Sequence, residues 1–233
     1  TLMRSSAASD VYKRQGSTST TVDATDGLVI PTTLEMINTA AFQGTGIKSV
    51  AFASTSSNSL WFIGKDVFKS TTALETVDLI AADTTTQHST QSGAIYDTAQ
   101  TAVTVTGLSL IPTGAFSGAT ALKTINLPSS ITNIYSSAFV NNTALTSVNF
   151  SDLTKLASIA NTNFTGASAL KTIDLSANTS FTTIKTATSI FTGLPSDATV
   201  KLPSIATSIA ATSFLTGTNT TASASALSLI HIW

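Results

Sequence analysis

Asp78, Asp174, Lys201 and His88 are the first residues to consider for chemistry in this 233-residue chain, because carboxylate, amine and imidazole groups can take part in it. Two carboxylates ~5–9.5 Å apart can carry glycoside hydrolysis, and a histidine beside a nucleophile can carry acyl transfer. The two aspartates and the lysine occupy corresponding positions in short stretches where apolar and polar residues alternate, whereas His88 lies in the polar run TTTQHSTQ. Whether these groups meet depends on the elements that position them.

Those elements repeat along most of the chain with a period of about 25 residues. Three consecutive copies read LSLIPTGAFSGATALKTINL (108–127), ITNIYSSAFVNNTALTSVNF (131–150) and LASIANTNFTGASALKTIDL (156–175). A fixed period of this length predicts a solenoid, in which each unit buries its apolar face against its neighbours. The alternation in TALKTINLP predicts a half-buried strand, and the preceding PTGAFSGAT predicts a short turn or helical turn that directs Phe116 inward.

The phase of the repeat predicts which side chains stack. One buried column should contain Ile125, Val148 and Ile173, and neighbouring strands should be parallel. A second column should contain Phe116, Phe139 and Phe164. The interval between Phe68 and Phe116 spans two periods, which predicts a degenerate copy near 80–105 that includes Tyr96 and Val105, with a loop bulging from the solenoid.

The strand positions that face outward form two rows of polar residues. The residues that we select from them as a candidate binding surface are Thr76, Asp78, Thr124, Asn126, Ser147, Asn149, Thr172, Asp174 and Lys201. Each strand of the predicted sheet is called a rung here, and neighbouring rungs are ~4.8 Å apart. If Thr106 occupies a rung of its own, Asp78 and Asp174 are four rungs or ~19 Å apart, which is too far for a paired-carboxylate mechanism. Asp174 and Lys201 are on neighbouring rungs, where an exposed pair is ordinarily a weak cross-strand contact.

The remaining candidates for chemistry are isolated. Nothing in the sequence fixes His88 beside a nucleophile, so it is interpreted as a solvated loop histidine. Trp61 is either an exposed aromatic that binds a partner or, more commonly, a partly buried packing residue. The glycines lack the spacing of a phosphate-binding loop. The sequence therefore predicts no enzyme, no cofactor and no metal site.

Composition narrows the partners further. The formal net charge is −1 and there is no cysteine. Without a basic surface to neutralise phosphates, binding to nucleic acid is not expected, and the lack of cysteine excludes a disulfide scaffold. No apolar run reaches the ~18 residues of a membrane span. A protein or a glycan remains as the expected partner.

The two ends have an unusual relationship. The stretches DVYKRQ (10–15) and LSLIHI (227–232) can be encoded by reverse-complementary DNA, which predicts that residues 1–15 and 227–233 are translated sequencing adapter rather than native protein. The expected organisation is then an N-terminal flank at 16–33, a solenoid of about eight repeats at 34–214, and a low-complexity polar tail at 215–226.

The strand motif in LKTINL, LTSVNF, LKTIDL and LETVDL resembles a leucine-rich repeat, and the added I-x4-F-x5-L pattern resembles the bacterial surface-antigen type, called BspA-like. The resemblance implies an α+β repeat solenoid, coiled to the right, with one parallel sheet on its concave face and turns or helical turns on its convex face. It also implies a secreted or cell-surface location, and several such proteins are thought to be adhesins. The family offers no catalytic motif.

Three functions stay open from the sequence. The first is a surface module that binds an extracellular protein or glycan along the concave rows. The second is a passive spacer that holds another domain away from the cell. The third is binding to ice or a crystal face by regular threonines, although the mixture of Asp, Asn, Lys and Ala in the second row argues against it.

Overall fold

The computed structural model describes residues 27–55, 58–91, 102–181, 183–184, 190–203 and 208–209. These ranges contain short strands and one 3₁₀ helix at Phe150–Asp152. The strands are β1 (Leu28–Ile30), β2 (Met36–Ile37), β3 (Ser49–Phe52), β4 (Phe62–Ile63), β5 (Thr76–Asp78), β6 (Gln87–Gln91), β7 (Ala102–Thr106), β8 (Leu110–Ile111), β9 (Thr124–Asn126), β10 (Asn133–Ile134), β11 (Ser147–Val148), β12 (Ser158–Ile159), β13 (Thr172–Asp174), β14 (Thr183–Ile184), β15 (Thr199–Lys201) and β16 (Ser208–Ile209).

One strand from each coil enters a parallel main sheet of order β1-β3-β5-β9-β11. Val77 pairs with Ile125, and Ile125 pairs with Val148, so the inward side chains form a column. All three are buried, as is Ile173 on β13, which forms a separate parallel pair with β15. The expected parallel pairing and the burial of this column are confirmed.

The other strand of each coil enters a second set of parallel sheets on the opposite side of the core. The largest, called here the second sheet, has the order β12-β10-β8, and smaller pairs join β2 to β4 and β14 to β16. Ile111, Ile134 and Ile159 align in register and are buried. The core therefore lies between two parallel sheets, each built from one strand per coil.

Turns close the coil on a third side and carry the phenylalanine column. Neighbouring rings are stacked with centroids 5.5–5.6 Å apart from Phe42 through Phe164, and Phe191 follows at 6.3 Å. All of these rings are buried. The turn backbones also join consecutive coils, since the Phe116 N–H donates to the Ala138 carbonyl oxygen at 2.9 Å. The predicted phenylalanine column is confirmed and extends beyond the three central copies.

Of the turns or helical turns predicted for the convex face, the structure has the turns; the helical alternative is wrong, and so is the α+β class. From Phe42 through Phe164, the residues two positions before and two positions after each phenylalanine of the column have positive φ, among them Ala40, Gly44, Gly114 and Gly118. Two left-handed residues four positions apart in each turn leave no room for a right-handed helix between them. Apart from the 3₁₀ helix at Phe150–Asp152, the described chain is a β-solenoid.

In the described part of the stretch near 80–105, the predicted degenerate coil is not formed either. Residues in this stretch form an antiparallel hairpin of β6 and β7, in which His88 pairs with Val105. Strand β5 pairs directly with β9, so the stretch adds no rung to the main sheet. Because Phe68 stacks directly on Phe116, the double interval in the sequence reflects an insertion within one coil.

The described residues test the predicted boundaries only in part. The main sheet begins at β1, inside the stretch assigned to the N-terminal flank (16–33). The predicted adapter-derived ends at 1–15 and 227–233 and the polar tail at 215–226 lie outside the described residues, as does Tyr96. No helix in the described ranges has the length and apolar character needed to cross a membrane.

Candidate functional site

The outward face of the main sheet and of the β13–β15 pair carries two rows of polar side chains. The hydroxyl row consists of Thr76, Thr124, Ser147, Thr172 and Thr199, and the Asp/Asn row consists of Asp78, Asn126, Asn149, Asp174 and Lys201. Alternation along each strand turns these positions away from the core, because neighbours such as Val77 and Ile125 point into it. Most of these side chains are exposed; Thr124, Asn149 and Asp174 are half-buried.

The structure brings the first members of the rows together more closely than expected. Thr76 is directly opposite Thr124, and Asp78 is directly opposite Asn126. Ser147 follows opposite Thr124. Neighbouring strands lie ~4.8 Å apart, so this part of the rows is unbroken. Thr106, which was expected on a strand between those of Asp78 and Asn126, lies instead in the hairpin, as does Thr104.

The rows change at the end of β11. Asn149 does not continue the strand: its Oδ1 accepts the Leu127 N–H at 2.8 Å, and its Nδ2 donates to the Leu127 carbonyl oxygen at 2.9 Å. The side-chain amide thus replaces a strand partner just before the 3₁₀ helix at Phe150–Asp152. Thr172, Asp174 and Lys201 lie beyond this point on the separate β13–β15 pair. The predicted single ladder is therefore two stretches, with Asn149 engaged in holding the fold.

Both aspartates of the Asp/Asn row shape the backbone where their strands end. Asp78 Oδ1 accepts the Ile80 N–H at 3.1 Å, and Asp174 Oδ1 accepts the Ser176 N–H at 3.0 Å. This is the turn that an aspartate makes with the residue two positions on. The repeated acidic position thus has a structural role in addition to its outward placement.

Exposed ion pairs connect consecutive coils. Lys201 Nζ is 2.9 Å from Asp174 Oδ2, and Lys123 Nζ is 2.7 Å from Glu75 Oε2. Hydrogen bonds from the Ser176 hydroxyl and then from Lys201 lower the pKa of Asp174 to about 2. The hydrogen bond from Lys123 likewise lowers the pKa of Glu75. Exposed pairs of this kind add little stability, so their main effect is to neutralise charge along the face.

The two aspartates of the Asp/Asn row lie in different sheets. Asp78 lies in the main sheet and Asp174 in the β13–β15 pair, and no group of three histidine or acidic side chains in the described ranges is arranged to hold a metal ion. What the face offers is a regular array of hydroxyl, amide and carboxylate groups that can hydrogen-bond an extended partner at several points.

His88 differs from its sequence-based interpretation, whereas Trp61 has one of the two roles weighed for it. The His88 ring stacks on the Trp61 indole with centroids 4.2 Å apart and planes 3° apart, and its Nε2 is 3.5 Å from Asp83 Oδ2. The interpretation of His88 as a solvated loop residue is wrong. Trp61 is 5% exposed and packs with Phe62 and Val105, which is the packing role weighed for it.

One sequence signal could have shown that another element covers Trp61 and Phe62. Met36 and Phe62 pair in register on β2 and β4, and Leu110 occupies the matching outward position on β8. At the next two rungs the position is polar, with Asn133 and Ser158. Three successive apolar residues on an outward face require a cover, and the hairpin supplies it through Val105.

Comparison with known families agrees with the coil geometry. The family described as BspA type Leucine rich repeat region (6 copies) matches residues 23–92 and 88–221. The two matched stretches together span the described coils and the hairpin formed by β6 and β7. No curated protein and no solved structure matches the chain closely enough to add to this assignment. By its repeats and by its coils, the chain belongs to the BspA-type leucine-rich-repeat family.

Proposed function

We propose that this protein is a surface or secreted repeat module that binds an extracellular partner protein along the outward face of its main sheet, rather than an enzyme. The observation that carries the proposal is the unbroken register of Thr76 with Thr124 and of Asp78 with Asn126. The hairpin packs on Trp61 and Phe62, which belong to the opposite side of the coil, so it leaves this face open. Membership of a typically surface-associated repeat family supports the location.

A flat, regular and hydroxyl-rich face spreads its contacts over several coils. Successive rungs present similar polar groups, so we expect no single residue to supply most of the binding free energy, as an anchor residue does in a compact interface. Extended partners suit such a surface, because each rung adds a hydrogen-bonding position at the strand spacing. Exposed members without an assigned structural role, such as Thr76, Asn126 and Ser147, are the residues on which we expect binding to depend most.

The test replaces those three residues together. Thr76→Lys, Asn126→Lys and Ser147→Lys add bulk and charge at exposed outward positions, and the triple variant should lose at least tenfold in affinity for any extracellular-matrix protein that the parent captures on an array. The matched control is Thr72→Lys, Thr120→Lys and Ser168→Lys, which adds the same charge at exposed positions on the turn side. This control should bind as the parent does.

Two outcomes would count against the proposal. If the main-sheet variant, still folded by circular dichroism, binds the captured protein as tightly as the parent, the site lies elsewhere. If the parent captures no protein, the face is passive and a spacer function becomes the better account. The ion pairs of Asp174 with Lys201 and of Glu75 with Lys123 are compatible with that function, because they neutralise charge along the face.

A further inference from the structure

A cleft of about 350 Å³ lies between the hairpin and the second sheet. Its lining includes Thr104, Thr106, Leu110, Asn133, Tyr135 and Lys155. The cleft is on the opposite side of the coil from the outward rows of the main sheet. Its size is within the ~300–1,000 Å³ range typical of small-molecule sites.

The polar side chains on the floor of the cleft are held in place by hydrogen bonds. Asn133 Nδ2 donates to Ser158 Oγ at 2.7 Å, while its Oδ1 lies 2.8 Å from the Thr132 hydroxyl. The Ser130 hydroxyl is buried and donates to the Leu108 carbonyl oxygen at 2.8 Å. These contacts fix the rotamers of the floor before any ligand arrives, which reduces the entropic cost of binding.

The wall of the cleft is the hairpin, whose root is fixed to the solenoid. The Leu108 N–H donates to the Asp83 carbonyl oxygen at 2.6 Å, and the Asp83 N–H donates to the Leu60 carbonyl oxygen at 2.9 Å. Gly107 has φ +55, and a Cβ there would collide with the Asp83 carbonyl oxygen. The close approach that forms the root therefore requires glycine, and it places the exposed residues Thr104 and Thr106 beside the cleft.

The charge and shape of the lining restrict the ligand. Lys155 is the sole charged side chain among the lining residues, none of which is acidic, and no carboxylate of the described ranges forms an ion pair with it. Tyr135 and Leu110 pack against the cluster of Trp61, Phe62 and Val105 and remain half-exposed. The cleft thus combines a cation, an aromatic ring and a surround of hydroxyl and amide groups.

From this combination we infer that the cleft is a binding site for a carboxylate-bearing saccharide unit, such as a uronic or sialic acid residue of a glycan. The Lys155 ammonium pairs with the sugar carboxylate, the Tyr135 ring packs against the C–H face of the sugar, and the threonines with Asn133 exchange hydrogen bonds with its hydroxyls. The site is separate from the proposed protein-binding face and does not depend on it.

The test is a titration of the isotope-labelled chain with digalacturonate and with sialyllactose, followed by amide chemical shifts. At least one of these acidic probes should shift amides at residues 104–110 and 130–135, and neutral lactose should not. Lys155→Gln should weaken that binding by about tenfold, the usual effect of losing a charged hydrogen-bond partner. The matched control Lys48→Gln removes an exposed lysine beside the main sheet and should leave the affinity unchanged.

Tyr135→Leu separates the aromatic contact from general packing. It keeps an apolar side chain against the hairpin, so the amide spectrum of the hairpin should be retained while saccharide affinity falls. Absence of shifts at these amides with both acidic probes would overturn the inference, and so would equal binding of lactose and the acidic sugars. Shifts confined to Thr76, Thr124 and Ser147 would place saccharide binding on the main sheet and would equally overturn it.

Discussion

The regular coils and the hairpin formed by β6 and β7 bury apolar side chains in different ways. In a coil, each phenylalanine stacks on its equivalent one turn away, as Phe116 does on Phe139 at 5.5 Å. In the hairpin, Val105 has no equivalent in other coils and packs on Trp61 and Phe62 from outside. Burial in the coils is therefore repeated and cooperative, whereas burial under the hairpin is local and depends on a few contacts.

The largest effect that separates the two regions should come from Phe139→Ala. Phe139 is fully buried between Phe116 and Phe164, and such a truncation costs about 3–5 kcal/mol of unfolding free energy. Because the column runs through successive coils, chemical denaturation should show the loss in the main cooperative transition. Thr146→Ala, at an exposed position of the same coil, should change that transition far less.

The hairpin should respond locally. Val105→Ala removes two methyl groups from its buried cluster, which costs about 1.5–2 kcal/mol. Hydrogen exchange of amides at 87–91 and 102–106 should accelerate, while amides of β5 and β9 stay protected. His88→Ala removes the ring that stacks on Trp61 and should accelerate the same hairpin amides to a smaller degree. Equal acceleration in the main sheet would show that the hairpin is part of the cooperative core.

The turns of the coils allow a test by backbone conformation alone. Gly118 has φ +71, and a Cβ added there would come no closer than 3.7 Å to a neighbouring atom. Gly118→Ala should therefore destabilise by about 1 kcal/mol through strain without a clash. Ala40 occupies the left-handed conformation with φ 57, so Ala40→Gly should be neutral or stabilising by a few tenths of a kcal/mol. Thermal melts should show a lower melting temperature than the parent for Gly118→Ala and an equal or slightly higher one for Ala40→Gly.

The smallest effect concerns the charges of the outward face. The pKa of Asp174 is lowered to about 2, first by the Ser176 hydroxyl and then by Lys201. A lowered folded-state pKa contributes stability that is present above the ordinary aspartate value and is lost as the pH falls toward 2. Ser176→Ala should raise the pKa of Asp174 in a carboxyl NMR titration and flatten this dependence. An unchanged pKa would show that Ser176 is not the principal cause.

The sequence predicted the coils well, because each repeat has the same apolar positions and only one alignment of successive repeats stacks them on one another. The Ile125–Val148 pairing and the Phe139–Phe164 stack follow from that phase. The left-handed residue that precedes each phenylalanine was missed because Ala40, Ser137 and Thr162 adopt positive φ without being glycine. The sequence of these turns was therefore interpreted as helical turns on the convex face of the solenoid.

The insertion and the break after β11 were missed for different reasons. The hairpin contains Val105 at a spacing that mimics a coil, and only the outward apolar residues Met36, Phe62 and Leu110 indicate that another element covers them. Asn149 has the residue type of a binding position, but its amide is used to pair with Leu127. A single sequence cannot distinguish an outward asparagine from one that replaces a strand partner.

The central claim is that residues between β5 and β9 add no rung to the main sheet, so that Thr76 lies beside Thr124. Since the chain has no cysteine, a pair introduced as Thr76→Cys and Thr124→Cys can be tested for a disulfide without interference. Neighbouring strands at ~4.8 Å allow the bond, whereas Thr76→Cys with Ser147→Cys, two rungs or ~9.6 Å apart, exceeds its reach. We predict cross-linking in the first variant under mild oxidation and none in the second. Cross-linking of Thr76→Cys with Thr104→Cys, and not with Thr124→Cys, would contradict the account.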